Sequence, residues 1–130
     1  MRRILITLLM FYSASATEVL YWFDEDRKKY VKREYFDAKL DAYVYSSSHT
    51  SSKKMILTQG VVICFLDTPS EFILKEIETA YSLALIKKID IGTTYYLFKV
   101  GDKEKSLSVA NEIKKDKRIR YAYPDWQIIF

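Results

Sequence analysis

Six consecutive β-prone residues, Val61-Val62-Ile63-Cys64-Phe65-Leu66, constrain this chain more than any other stretch. An unbroken apolar run of that length reads as a central strand covered on one or both faces. A helix start follows directly. Thr68 is placed to cap it, Pro69 suits the first helical position, and Glu71 lies three residues after the cap. Ile73, Ile77, Ala80 and Tyr81 then recur at helical spacing, opposed by Lys75, Glu76 and Glu78.

The same alternation of periods continues. Leu85-Ile86-Lys87-Lys88-Ile89 reads as a strand, Asp90-Ile91-Gly92 as a turn, and Thr94 to Val100 as a strong strand. Gly101-Asp102-Lys103 breaks it. Ser106 is a candidate cap for a second helix with Leu107, Ala110 and Ile113 on one side, and Lys114, Lys115 and Lys117 near its end suit the helix dipole. Ile119 to Tyr123 is a last strand, and Pro124 to Phe130 a tail. Strand, helix, strand, strand, helix, strand is the split β-α-β, or ferredoxin-like, order. The predicted class is therefore α+β: an antiparallel sheet with two helices on one face, its second and fourth strands at the edges. Pro124 is tolerable on an edge strand, and Lys87 and Lys88 blunt one.

Ahead of this unit the pattern is less regular. Arg2 and Arg3, the apolar run Ile4 to Tyr12 and the small-x-small triplet Ala14-Ser15-Ala16 form a three-part export signal over residues 1–16. The run is about half the ~20 residues a membrane span needs. Residues 17–45 alternate aromatic and charged groups and predict a β-hairpin-like segment. Val19 to Phe23 is one strand, 24–29 a charged turn and Tyr30 to Phe36 the return, with Leu40, Tyr43 and Val44 in a third short strand. Residues 46–54 carry no apolar side chain, so 46–58 reads as a Ser-rich loop or linker before a domain over 59–130.

Counting limits the chemistry. The 130 residues carry 21 Lys and Arg against 17 Asp and Glu, a charge of +4. Loss of Arg2 and Arg3 with the signal lowers it to +2, which weakens any argument for nucleic acid. One cysteine excludes an intramolecular disulfide and a multi-cysteine zinc cage, and one histidine excludes a multi-histidine metal site. His49 lies in the serine-rich loop with no fixed neighbours, unlike the oriented imidazole of a Ser-His-Asp triad. Cys64, inside the most apolar strand, reads as a small hydrophobe rather than a reactive thiol. Asp24, Glu25 and Asp26 lack the graded spacing and glycine of a calcium loop. Three scattered glycines make no phosphate loop. Tyr95, Tyr96 and Phe98 stand where an RNA-recognition domain carries aromatics, but the Lys/Arg-Gly-aromatic-Gly/Ala start is absent. No catalytic residue, cofactor or metal is expected.

The end of the chain is the most specific part. Tyr96-Leu97-Phe98-Lys99-Val100 is followed by Leu107-Ser108-Val109-Ala110-Asn111-Glu112-Ile113, and then by Ile119-Arg120-Tyr121-Ala122-Tyr123-Pro124-Asp125-Trp126. An aliphatic strand, a Leu-x-x-Ala-x-x-Ile helix and a strand ending in Tyr-Ala-x-Pro-Asp-aromatic resemble subtilisin-family (subtilase) propeptides. The resemblance covers residues 59–130, and the last thirty-five carry most of it. It implies a secreted or periplasmic, non-enzymatic inhibitor or folding chaperone of a subtilisin-type serine protease. The sheet face would pack on the enzyme, and Trp126, Gln127, Ile128, Ile129 and Phe130 would run through the substrate cleft as an added strand. Tyr121, Ala122, Tyr123, Pro124 and Asp125 would form the fourth-strand motif that leads into it. The resemblance leaves two roles open, action in trans or a remnant of a longer precursor. Two rivals stand beside it: an exported ligand-binding module of the same fold, and an assembly protein that associates through its Tyr-rich hairpin. For the tail itself the competing expectation is a strand extension that packs back on the domain.

Overall fold

The computed structural model describes residues 18–47 and 53–129. The predicted export signal, His49 and Phe130 lie outside the described residues. Among the described residues the architecture is α+β, with two α-helices and two antiparallel sheets.

The four-stranded sheet joins β5 (Gly60–Phe65), β6 (Ala84–Ile91), β7 (Thr93–Lys99) and β8 (Ile119–Pro124) in the order β6-β7-β5-β8, so β6 and β8 are its edges as predicted. All of β5 is buried. Val61, Ile63 and Phe65 pack with Tyr96 and Phe98 of β7 and with Ile119 and Ala122 of β8. Helix α1 (Glu71–Tyr81) adds Ile77, Ile73, Leu74 and Tyr81 to that cluster, and α2 (Ser106–Lys114) adds Ala110, Ile113 and Val109. Strand partners share a face, and Val61 stands opposite Phe98 and Pro124, and Ile63 opposite Tyr96 and Ala122. The helices therefore cover one face only. Arg118 links the middle of α1 to the loop after α2, donating to Asp116 at 2.9 Å and to Glu76 on α1 at 3.2 Å.

Both helix starts differ from the sequence reading. Helix α1 is capped by Ser70, whose side chain accepts from the Ile73 amide at 3.3 Å. Thr68 and Pro69 precede the helix, and Glu71 is its first residue. Ser70 thus takes the place expected of Thr68, and Pro69 lies outside the helix altogether. The exposed Ala80 gives its predicted core position to Leu74. For α2, Ser106 is not the cap. Asp102 caps a 3-10 turn at Lys103–Lys105 by accepting from the Glu104 amide at 3.0 Å, and the Ser106 hydroxyl donates back to the Lys103 carbonyl. The turn after β6 is also tighter than predicted: pairing runs through Ile91 to Thr93, and Gly92 alone turns the chain with φ 95°.

The N-terminal segment forms more than a hairpin. β1 (Glu18–Asp24), β2 (Arg27–Asp37), β3 (Ala42–Ser47), β4 (Lys54–Ile56) and β9 (Gln127–Ile129) make a five-stranded sheet in that order. The first turn shrinks to Glu25 and Asp26 because Asp24 pairs with Arg27 across the hairpin and binds Lys29 at 3.0 Å. Leu40 falls in a turn rather than a strand, where Asp37 accepts from its amide and from that of Lys39. Ser46 and Lys54, predicted as loop, are strand residues. Ser46 is fully buried because it donates to Glu34 at 2.9 Å, and the Lys54 ammonium closes an ion pair on the same carboxylate. A polar side chain is buried at small cost when its hydrogen bond is satisfied.

The two sheets meet across α2 and β8. Leu107 of α2 packs with Val31, Tyr45, Met55 and Leu57, bordered by Leu20, Trp22, Tyr43 and Trp126. Asn111 donates to the Tyr21 carbonyl at 2.9 Å, and Glu104 accepts from the Tyr43 amide at 3.4 Å.

Candidate functional site: the C-terminal strand and the open sheet face

The fourth-strand motif is where the sequence reading placed it, but its residues point in two directions. Ala122 and Pro124 pair with Ile63 and Val61 and face the helices. Tyr121 and Tyr123 pair with Cys64 and Val62 and face away. Asp125 is exposed, yet its backbone is held at both ends. Its amide donates to the Gly60 carbonyl at 2.9 Å, and its carbonyl accepts from the Thr58 hydroxyl at 2.6 Å.

The predicted cleft-binding tail is built into the five-stranded sheet. Trp126 is half-buried and makes edge contacts with Tyr45 at 5.4 Å and Trp22 at 6.0 Å. Its indole Nε1 is buried and has no hydrogen-bond partner among the described residues. Gln127, Ile128 and Ile129 pair with Ile56, Met55 and Lys54. Ile129 packs on Ala42, Val44 and Ile56, while Gln127 and Ile128 remain exposed at the sheet edge. In this structure residues 127–129 pair back on β4, and of the apolar side chains at 128 and 129 only Ile129 packs on the domain. Three paired residues is a short ladder for strands, which commonly run to about five or six.

The face of the four-stranded sheet away from the helices is aromatic and apolar across its middle, with the exposed Lys87 and Lys99 on the same side by register. Register places Ile89, Tyr95, Leu97, Val62, Cys64, Tyr121 and Tyr123 there. Ile89, Tyr95, Leu97 and Tyr123 are only half-buried. The tip of the β1–β2 hairpin approaches the β8 side, where Trp22 meets Tyr123 at 6.4 Å. Burial pushes the Tyr123 phenol up to about 12, with Tyr95 and Asp24 adding to the shift. Burial likewise raises Cys64, which Arg120 opposes, so its thiol is protonated at neutral pH and packs as a small apolar group. These groups offer hydrophobic contact and phenolic hydrogen bonds, not an activated nucleophile.

Two cavities lie at the end of this sheet. One, about 210 Å³, is lined by Asp67, Thr94, Lys88, Arg120, Cys64 and Tyr96. The other, about 310 Å³, lies beside Pro69, Ile73 and Arg118. In the first, the Thr94 hydroxyl donates to the Asp90 carboxylate at 2.5 Å. Among the described residues, no group of three or more His, Cys, Asp or Glu is placed to hold a metal. Asp24 and Asp26 are instead engaged by Lys29 and by Lys114 of α2. No described helix is long and apolar enough to cross a membrane.

The sequence reading missed the open face as a unit, although the alternation Tyr95, Leu97 and Tyr121, Tyr123 carries its signal. No protein-family model, curated protein or solved structure matches the chain.

Proposed function

We propose that this protein is an exported, non-enzymatic protein-binding module that docks on a subtilisin-type serine protease in the manner of a propeptide. The observation that carries this reading is the half-buried apolar face formed by Ile89, Tyr95, Leu97 and Tyr123, on a sheet whose order β6-β7-β5-β8 fits the ferredoxin-like arrangement. Such a face suits a flat apolar surface of a partner, with tyrosines supplying contact area and polar edges. The tail adds to it by peeling β9 from β4 and entering the cleft as an extended strand, while Trp126 remains as the anchor. Detaching β9 gives up three paired residues and the Ile129 contacts with Ala42, Val44 and Ile56, losses that backbone pairs and pockets in the cleft would have to offset.

Progress curves of a subtilisin-type protease with the full chain test this. Micromolar inhibition is expected. Ile128→Asp, on an exposed side chain, and Tyr95→Ala, on the open face, should each weaken it. Absence of inhibition by the wild-type chain overturns the reading.

The pairing of Gln127–Ile129 with β4 favours a second reading, in which the tail is structural and the chain is an assembly module. Removal of residues 127–130 then lowers thermal stability, and no protease is inhibited at any length of tail.

A further inference from the structure

Strand β6 is an edge with unusual content. Seven of its eight residues are exposed, and only β7 pairs with it. Ile86 is 52% exposed and Ile91 73%. A bulge between Leu85 and Lys87 interrupts the ladder, which leaves 87–91 as its regular part. An apolar edge of this kind is a template for strand pairing unless charges prevent it. Lys87 and Lys88 look like such charges, yet Asp90 stands two residues away from Lys88.

The charges and the symmetry together decide which pairing is allowed. Two copies of one edge strand that extend a sheet antiparallel are related by a two-fold axis normal to the sheet. Residues opposite each other must then come from the same face. Lys88 and Asp90 pair with Tyr96 and Thr94, on the helix side, whereas Lys87, Ile89 and Ile91 pair with Leu97, Tyr95 and Thr93, on the open side. Registers centred on Lys87, Lys88 or Asp90 set like charges opposite each other across the axis. A register centred on Ile91 leaves almost no paired length, because β6 ends there. Centred on Ile89, the strand is complementary to itself. Lys88 lies opposite Asp90 of the second copy, twice, and Lys87 lays its aliphatic stem over Ile91. Asp90 accepts from the Thr94 hydroxyl through Oδ1 at 2.5 Å, while its Oδ2 stands 3.8 Å from Lys88 with both side chains more than half exposed, so that oxygen and the Lys88 ammonium can turn to a second copy.

We infer that β6 is a self-association edge: two copies of this chain pair antiparallel about Ile89, joining their four-stranded sheets into one eight-stranded sheet. The charge pattern selects this register and excludes its neighbours. Pairing five residues a side buries a small interface, so the association is weak and depends on concentration. It leaves the cleft-directed tail untouched and extends the open face across both copies.

Sedimentation velocity of the full chain across the micromolar range tests it, with thermal melts showing that each variant stays folded. Lys88→Glu and Asp90→Lys should each weaken self-association by about tenfold or more, because two cross-strand pairs change from attraction to repulsion. An equimolar mixture of the two variants should recover dimers. In the mixed pair the introduced glutamate faces the introduced lysine, and the native Lys88 of one copy faces the native Asp90 of the other. A wild-type chain that stays monomeric at high micromolar concentration leaves the edge to some other partner and overturns the proposal. Single variants that associate as wild type does, or a mixture that stays monomeric, also overturn it.

Discussion

Gly60 sits where no side chain fits. A Cβ there would stand 2.9 Å from the Asp125 Cβ and 3.1 Å from the Leu97 Cδ1. That close approach lets the Gly60 carbonyl accept from the Asp125 amide and turn the chain out of β8. Gly60→Ala should therefore cost about 1–3 kcal/mol, as overpacking does, read as a lower urea midpoint with unchanged slope. Three carboxylates set opposing pH dependences. The Lys54 and Ser46 hydrogen bonds hold Glu34 below its ordinary value, and those of Arg118 lower Asp116. Their contributions are present above the unfolded value and are lost as pH falls through the folded one. Burial raises Glu104 above its ordinary 4.5, although the Tyr43 amide and Lys103 oppose it. Its sign is the reverse: the stabilisation is full below 4.5 and disappears as pH rises through the folded value. Glu104→Gln removes that dependence. In denaturant titrations from pH 7 towards pH 4.5, wild type should gain stability relative to this variant.

At the scale of elements, the start of α1 corrects the expectation that Thr68 is its cap. Thr68-Pro69-Ser70-Glu71 contains two cap candidates, and both satisfy the composition rule. Only Ser70 accepts from an amide of the first turn. Ser70→Ala should cost about 1 kcal/mol, whereas Thr68→Ala should leave the melting temperature unchanged. The reverse ranking contradicts the cap described here. The strands teach a complementary lesson. β5 and β7 were legible because their runs are long and β-prone. β4 was not, since Lys54-Met55-Ile56 is only three residues and follows a polar stretch. Ser46 was read as loop because its hydroxyl carries no local sign that Glu34, twelve residues earlier, accepts its hydrogen bond.

The whole molecule depends on Trp126 and Leu107, where the two sheets share a cluster. Trp126→Ala removes its ring contacts with Tyr45 and Trp22 and uncovers Met55 and Leu57. For a half-buried ring the expected loss is about 2 kcal/mol, below the ~3–5 kcal/mol of a fully buried one, measured as chemical unfolding of the full chain. Aromatic signals of Trp22 and Tyr45 should shift with it in NMR spectra. The sequence by itself determined the local alternation of periods: strand, helix, strand, strand, helix, strand from residue 60, an aromatic hairpin before it, and a tail that starts at Pro124 after the last strand. Those signals arise from side-chain spacing within a few residues, which the chain carries wherever it folds. Tertiary structure alone decided that residues 127–129 return to residues 54–56, some seventy positions earlier, and complete a second sheet. It also decided which tyrosines face the helices and which face outward. Strand pairing is a contact between distant segments, chosen by burial and hydrogen-bond satisfaction over the whole chain, and no window of sequence contains both partners.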